Sequence, residues 1–328
     1  MQKLPFENVR REELVRKNAQ TSLKFGIRPE QRTVGQLLDY GIVNIDKPRG
    51  PTSHQVSAYV KQILGISKAG HSGTLDPAVT GVLPVALGRS TKIVQLLLLA
   101  GKEYMTVMHV QKPVPEGRLH NTISQFVGTI IQLPPVKSAV KRQLRPRNVY
   151  YVDILEVDGQ DVLFRVGCQA GTYIRKLCHD IGQKLGTGAH MAELRRTKAG
   201  PFDESSLATL HDLTDAWHYY KEDGDEKEIR KIIQPVENAV SHLPKVWVLD
   251  TSVDTLAHGA ILHIPGISKV HSGIKPGDLT AVMSLKDELI GFGPARMNSA
   301  EMMSQEKGAA VKLDKVLMPP GIYAGVEK

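Results

Sequence analysis

Between Val149 and Gln169 the chain reads VYYVDILEVDGQDVLFRVGCQ, two alternating apolar runs flanking Asp158-Gly159. Alternation of period two builds a strand with two unlike faces, and Asp-Gly is a tight-turn signal, so this stretch predicts a β-hairpin. GTYIRKLCHDIGQKLG then switches to helical spacing, with Ile174, Leu177, Cys178, Ile181 and Leu185 on one face. An antiparallel ribbon followed at once by an amphipathic helix restricts the chain to a sheet with helices laid against it. Other segments agree. Ile42, Val43 and Ile45 read as a short strand, ended by Lys47-Pro48 and Gly50-Pro51. Val56, Tyr59, Val60, Ile63 and Leu64 fall at helical spacing after Ser53, the expected N-cap, with Gly65 as the stop. VLPVALG and KEYMTVMHV read as strands with a helix-like STKIVQLLLL between them. Without a regular strand–helix–strand rhythm, the expected class is α+β, with a mixed, mainly antiparallel central sheet flanked by helices.

A length of 328 residues suggests more than one domain. Residues 1–40 are mixed in charge and broken in pattern, and read as an extension. Residues 41–240 hold the segments above; their last part, WHYYKEDGDEKEIRKIIQP, reads as charged and helical. Beyond Pro244, VWVLD, AILHIPGI, DLTAVMSL and ELIGFGPA predict a small β-barrel over 245–321. The longest apolar run, IVQLLLLA, is too short to cross a bilayer, and the charged N-terminal run is not a secretory signal. Cys168 and Cys178 form no CxxC pair and are expected to be buried, which suits a reducing, cytoplasmic interior. The formal charge of +8 favours an anionic partner, nucleic acid first.

The loop GHSGTLDPAVTG, Gly70 to Gly81, carries a lone carboxylate, Asp76. Pro77 drives Asp76 toward extended geometry, and Gly73 and Gly81 allow sharp bends and close approach of another chain. Such a loop can present a carboxylate as nucleophile or general base, or it can fold Asp76 back on its own backbone as an Asx turn. Two other readings fail. GISKAGHS misses the phosphate-binding pattern by placing His71 where a lysine must stand, and a helix precedes it instead of a strand. His71 with Asp76, and His190 with Glu193, match no recognised zinc spacing.

GHSGTLDPAVTGVLPVALGRSTK resembles the signature of the TruB family of pseudouridine synthases. VNIDKPRGPTS, KEYMTVM, GTYIRKLCHDIG and LRRTKAGPF resemble its other motifs, in the same order. LPPVKSAVKRQLRPRNVYYV and ELRRTKAGPFDESSLATLHDL resemble the archaeal and eukaryotic branch, which holds dyskerin and the catalytic subunits of box H/ACA ribonucleoproteins. The segment from Val248 to Ala295 resembles a PUA domain, a small RNA-binding barrel onto which residues 1–40 would pack. The absence of long lysine-rich tails suits an archaeal member.

The resemblance implies an isomerase that turns uridine into pseudouridine and needs no cofactor or metal. It implies Asp76 as the catalytic carboxylate, Arg175 as its ion-pair partner and Tyr104 as the platform for a flipped uracil. His71 would stand beside the flipped nucleotide, and Tyr173 and Leu194 would line the pocket. Lys141, Arg142 and Arg145, with Lys137, Arg147, Arg195, Arg196 and Lys198, would grip RNA phosphates. Removing Arg175 would then cost stability as well as activity. The implied partners are a box H/ACA guide RNA, rRNA and tRNA substrates (uridine 55 of the TΨC loop), small accessory proteins and a kink-turn-binding ribosomal-type protein. The run HVQKPVPEGRLHNTISQFVG has no room for the RNA-gripping insertion of bacterial stand-alone members, which favours guided substrate choice. Two other classes remain open: a non-catalytic RNA-binding scaffold, against which the intact Asp76, Tyr104 and Arg175 set argues, and a nucleosidase. Glycoside hydrolysis usually uses two facing carboxylates, and this loop offers one.

Overall fold

The computed structural model describes residues 2–134 and 141–324. A short strand β1 (Glu13–Val15) and helix α1 (Val34–Tyr40) precede the large sheet. That sheet is built from β2 (Gly41–Lys47), β3 (Ala69–His71), β4 (Thr80–Leu87), β5 (Lys102–Val110), β6 (Gly128–Gln132), β7 (Arg145–Asp158), β8 (Asp161–Cys168), β9 (Ala189–Ala199), β10 (Phe202–Asp203) and β11 (Ile233–Pro235). Its main path runs β11-β2-β4-β9-β5-β8-β7-β6, with β3 on β4 and β10 on β9. Among the described strands of this sheet, only β4 and β9 pair in parallel. The sheet is therefore mixed and mainly antiparallel, in an α+β architecture.

Helices α2 (Ser53–Ile63), α3 (Val94–Leu99), α4 (Glu116–Ser124), α5 (Ile174–Leu185) and α6 (Leu210–Asp223) lie among these strands. In α5 the five expected apolar positions are all buried, in one core with Met108, Phe164 and Val166. The helix ends at Gly186, whose φ of +71° suits a residue without a Cβ. Thr52, not Ser53, caps α2: its hydroxyl accepts from the Gln55 amide, and the Gln55 side chain reciprocates. The hairpin turn is Gly159-Gln160, one residue later than expected, because Asp158 and Asp161 still pair. The charged run predicted as one helix breaks at Gly224, in the left-handed region, and its end forms β11 on the edge of β2.

Beyond Pro244 come β12 (Lys245–Val248), β13 (Leu262–His263), β14 (Ile267–His271), β15 (Leu279–Met283), β16 (Leu289–Pro294), β17 (Ala309–Val311) and β18 (Lys315–Val316). Six strands form a sheet in the order β1-β14-β12-β15-β16-β18, and β13 pairs with β17. This sheet has its own core around Val246, Ile264 and Val282. A second core is shared between the sheets, where Trp247, Met283 and Phe292 meet Ile42, Val82 and Leu96. No helix among the described residues is long and apolar enough to cross a membrane.

The N-terminal residues bond to both sheets, Glu7 to Lys198 of β9 and β1 to the edge of β14. Glu13, Leu14 and Val15 pair with His271, Val270 and Lys269. Arg32 is buried in a two-pronged pair with Glu237, at 2.7 and 2.8 Å, and Glu237 also accepts from the Leu289 amide at 2.9 Å. One carboxylate thus ties the extension to both sheets. Arg32→Met leaves Glu237 buried and unpaired, so denaturant titration should show stability lower by about 3–5 kcal/mol. An unchanged midpoint would refute the tie.

Candidate active site

The Asp76 loop joins β3 to β4 and is pinned on both sides of the acid. The Leu75 amide donates to Ser53 Oγ at 2.8 Å, and that hydroxyl returns a bond to the Leu75 carbonyl at 3.2 Å. Lys47 Nζ donates to the carbonyls of Pro48, Pro77 and Val79 at 2.9, 3.2 and 2.8 Å. The Gly50 amide also bonds the Pro77 carbonyl. Lys47 is fully buried; burial foremost, then the nearby Arg196, lowers its pKa, and Asp76 opposes that shift. Gly81 is required by space: a Cβ there would sit 2.2 Å from the Arg196 carbonyl oxygen. The turn closes through the backbone, Val79 N–H to Asp76 O at 3.0 Å. The Asp76 carboxylate is therefore free for another partner, Arg175, rather than folded into an Asx turn.

Arg175 stands in the first turn of α5, and its Nη2 pairs with Asp76 Oδ2. The helix start is held by Gln132, the buried last residue of β6. Its side chain bonds the Tyr173 carbonyl at 3.2 Å and accepts from the Tyr173 amide at 3.0 Å. The Asp76 and Arg175 side chains are 53% and 59% exposed. This corrects the expectation that losing Arg175 costs stability. An ion pair this open contributes at most about 1 kcal/mol, because water screens it and solvates either partner alone.

Tyr104 lies mid-β5, half-buried, opposite Val166 and Arg196. Two residues on, Thr106 faces Leu194, also half-buried. Tyr104 and Leu194 both pack against the α5 core. Burial raises the Tyr104 pKa, with Arg196 opposing, so the phenol is neutral near pH 7. His71 ends β3, and its Nδ1 accepts from the Gly73 amide at 3.4 Å. Burial first, then Arg196 and His54, lowers its pKa, which agrees with a neutral ring.

The basic residues divide. Lys141 and Arg142 are exposed, and Arg145 is half-buried at the start of β7, paired in register with Gln132. They therefore lead toward the strand end that fastens Tyr173. Arg147 donates to the Gly171 carbonyl at 3.1 Å, bracing the turn before α5. Lys137 lies outside the described residues. Three others are not free phosphate grips. Arg195 is paired with Asp46 and Glu204, Lys198 with Glu7, and Arg196 is 1% exposed. Charge content alone missed this because the partners come from distant segments. Ser53 and Gln132 also escaped the sequence reading as site residues, and Arg196 was read there only as a phosphate grip. For Lys47 the available signals were its place at the end of the strand GIVNIDK and the Lys47-Pro48 pair that it opens.

Residues 61–113 and 109–174 match the family described as TruB family pseudouridylate synthase (N terminal domain). Residues 175–241 match the tRNA pseudouridylate synthase B C-terminal domain, 244–317 the PUA domain and 2–57 the DKCLD (NUC011) domain. The chain is 58% identical over 318 residues to the probable tRNA pseudouridine synthase B of Thermococcus onnurineus, covering 96% of this chain and 95% of that one. Its counterpart in Methanopyrus kandleri is 53% identical over 321 residues, 98% and 95% of the two chains. Among solved structures, a Cbf5-Nop10-Gar1 complex superposes with a TM-score of 0.92 at 55% identity, over 96% of both chains. An H/ACA RNP bound to a substrate RNA containing 2′-deoxyuridine gives 0.93 at 51%, over 99% of this chain and 100% of that one.

Proposed function

The chain belongs to the TruB family of pseudouridine synthases, and from that membership we propose a site built on Asp76, Arg175 and Tyr104, working in a guide ribonucleoprotein. The reaction is an isomerisation of uridine in RNA. The C1′–N1 bond breaks, the uracil turns, C5 joins C1′, and the hydrogen on C5 is lost to solvent as N1 gains one. Asp76 supplies the carboxylate, whether it attacks C1′, adds to C6 or removes the 2′ proton. Arg175 orients it and sets a positive charge against it. Tyr104 stacks on the extruded base, Tyr173 and Leu194 line its pocket, and His71 stands beside the flipped nucleotide and positions the RNA. Lys141, Arg142 and Arg145 meet phosphates at the pocket rim.

The observation that carries this reading is the pinned ledge. Backbone bonds fix both neighbours of Asp76 while its side chain stays half exposed against Arg175. An open acid on a rigid support suits a site that RNA itself completes. The supported division is an extension over 1–40, a catalytic unit over 41–240 and an RNA-binding PUA unit over 245–321. The partners we assign are a box H/ACA guide RNA, rRNA and tRNA substrates, the small accessory proteins and a kink-turn-binding protein. Both cysteines are free and buried, in keeping with the cytoplasm.

Substrate choice is tested by two mixtures. One holds the chain with tRNA carrying uridine 55; the other holds guide RNA, accessory proteins and target RNA. Pseudouridine mapped by carbodiimide primer extension should be strong in the guided mixture. Product on tRNA alone marks dual specificity, and none in either would favour a scaffold.

A further inference from the structure

The ladder between β5 and β9 contains a register shift beside Tyr104. Lys102 faces Ala199, Glu103 faces Lys198, and Tyr104 faces Arg196, so Thr197 is an extra residue on β9. A shift of one residue moves the side chains that follow to the other face. Without it, Thr197 would lie beside Tyr104 and Arg196 would point away. With it, Arg196 shares the face of Tyr104. There its Nε donates to the Val82 carbonyl at 2.7 Å and its Nη2 to the Gly73 carbonyl at 3.3 Å, while the residue itself stands opposite Tyr104 in the ladder.

The bulge is held from the opposite face. Thr197 donates to Glu103 Oε1 at 2.8 Å, and both residues are buried. Glu103 Oε2 accepts from the Tyr151 hydroxyl, also buried. Arg165 stands 3.9 Å from Glu103 and lies over the Tyr151 ring. A buried carboxylate this well partnered is a fixed point, and it grips the one residue whose insertion re-aims Arg196.

We propose that Arg196 is a positioning residue for the reaction, and that Glu103, through Thr197, sets the bulge that aims it. One guanidinium, on the face that Tyr104 occupies, then ties the Gly73 end of the Asp76 loop to β4. The inference rests on reading Asp76 and Tyr104 as active-site residues.

The test is single-turnover pseudouridine formation by the full chain, in the mixture that supports the unaltered protein, alongside RNA affinity and thermal unfolding. Small displacements of reacting groups can cost about 10²-fold in rate, so Arg196→Lys should lose about that much and Glu103→Gln and Thr197→Val about tenfold. RNA dissociation constants should stay within about twofold, since no base or phosphate contact is removed. Thr197→Ser keeps the donor to Glu103 and should restore most of the rate. If Arg196→Lys unfolds, the Glu103 and Thr197 variants decide. Folded Glu103→Gln and Thr197→Val at full rate, beside an inactive Asp76→Asn, would overturn the proposal alone. An active Asp76→Asn would overturn the site reading, and this inference with it.

Discussion

Asp76→Asn is expected to lower pseudouridine formation by at least about 10⁴-fold, the scale on which losing a nucleophile or proton-transfer group is felt. The substitution keeps size and shape but removes the charge and the basicity. Leu75 and Pro77 remain anchored by Ser53 and Lys47, so the ledge survives. Stability should change by no more than about 1 kcal/mol, because the pair it breaks is half exposed. RNA affinity should hold, since Lys141, Arg142 and Arg145, the residues proposed to meet phosphates, are left unchanged. A rate loss matched by equal losses in binding or folding would mean that Asp76 is structural.

Arg175→Ala is the second large effect. Its expected cost is about 10²–10³-fold in rate, the range seen when one preorganised electrostatic partner is removed. Asp76 would keep its support but lose its orientation, and the carboxylate would face incoming RNA phosphates without a cation. Arg175→Lys should recover only part of the rate, because an ammonium cannot hold a carboxylate with planar geometry. Thermal unfolding should move little in either variant. A large drop in the unfolding midpoint of Arg175→Ala would show that the pair stabilises the fold, against the exposure observed.

The parts legible in the sequence were those written in short-range pattern. The face of α5 and the strands β4 and β5 follow from spacing within ten residues or so. The loop around Asp76 announced itself by its glycines and Pro77. What escaped depends on partners far along the chain. The strand Glu13–Val15 is too short to show a period and exists because residues 269–271 offer an edge. Arg195, Arg196 and Lys198 look alike in LRRTKAGPF, yet two are neutralised by distant acids and one is buried by a bulge at Thr197. Composition sees three cations where the fold leaves none free. Ser53 was read as a cap and instead clasps Leu75, because Thr52 takes the capping role one residue earlier.

The most direct measurement uses RNA tritiated at uridine C5, with enzyme in excess, comparing the unaltered chain with Asp76→Asn. Joining C5 to C1′ expels the C5 hydrogen, so tritium release counts the rearrangement itself. The unaltered chain should release tritium in step with pseudouridine and liberate no free uracil, and Asp76→Asn should release none. Free uracil from the unaltered chain, or tritium release by Asp76→Asn at the original rate, would contradict the account.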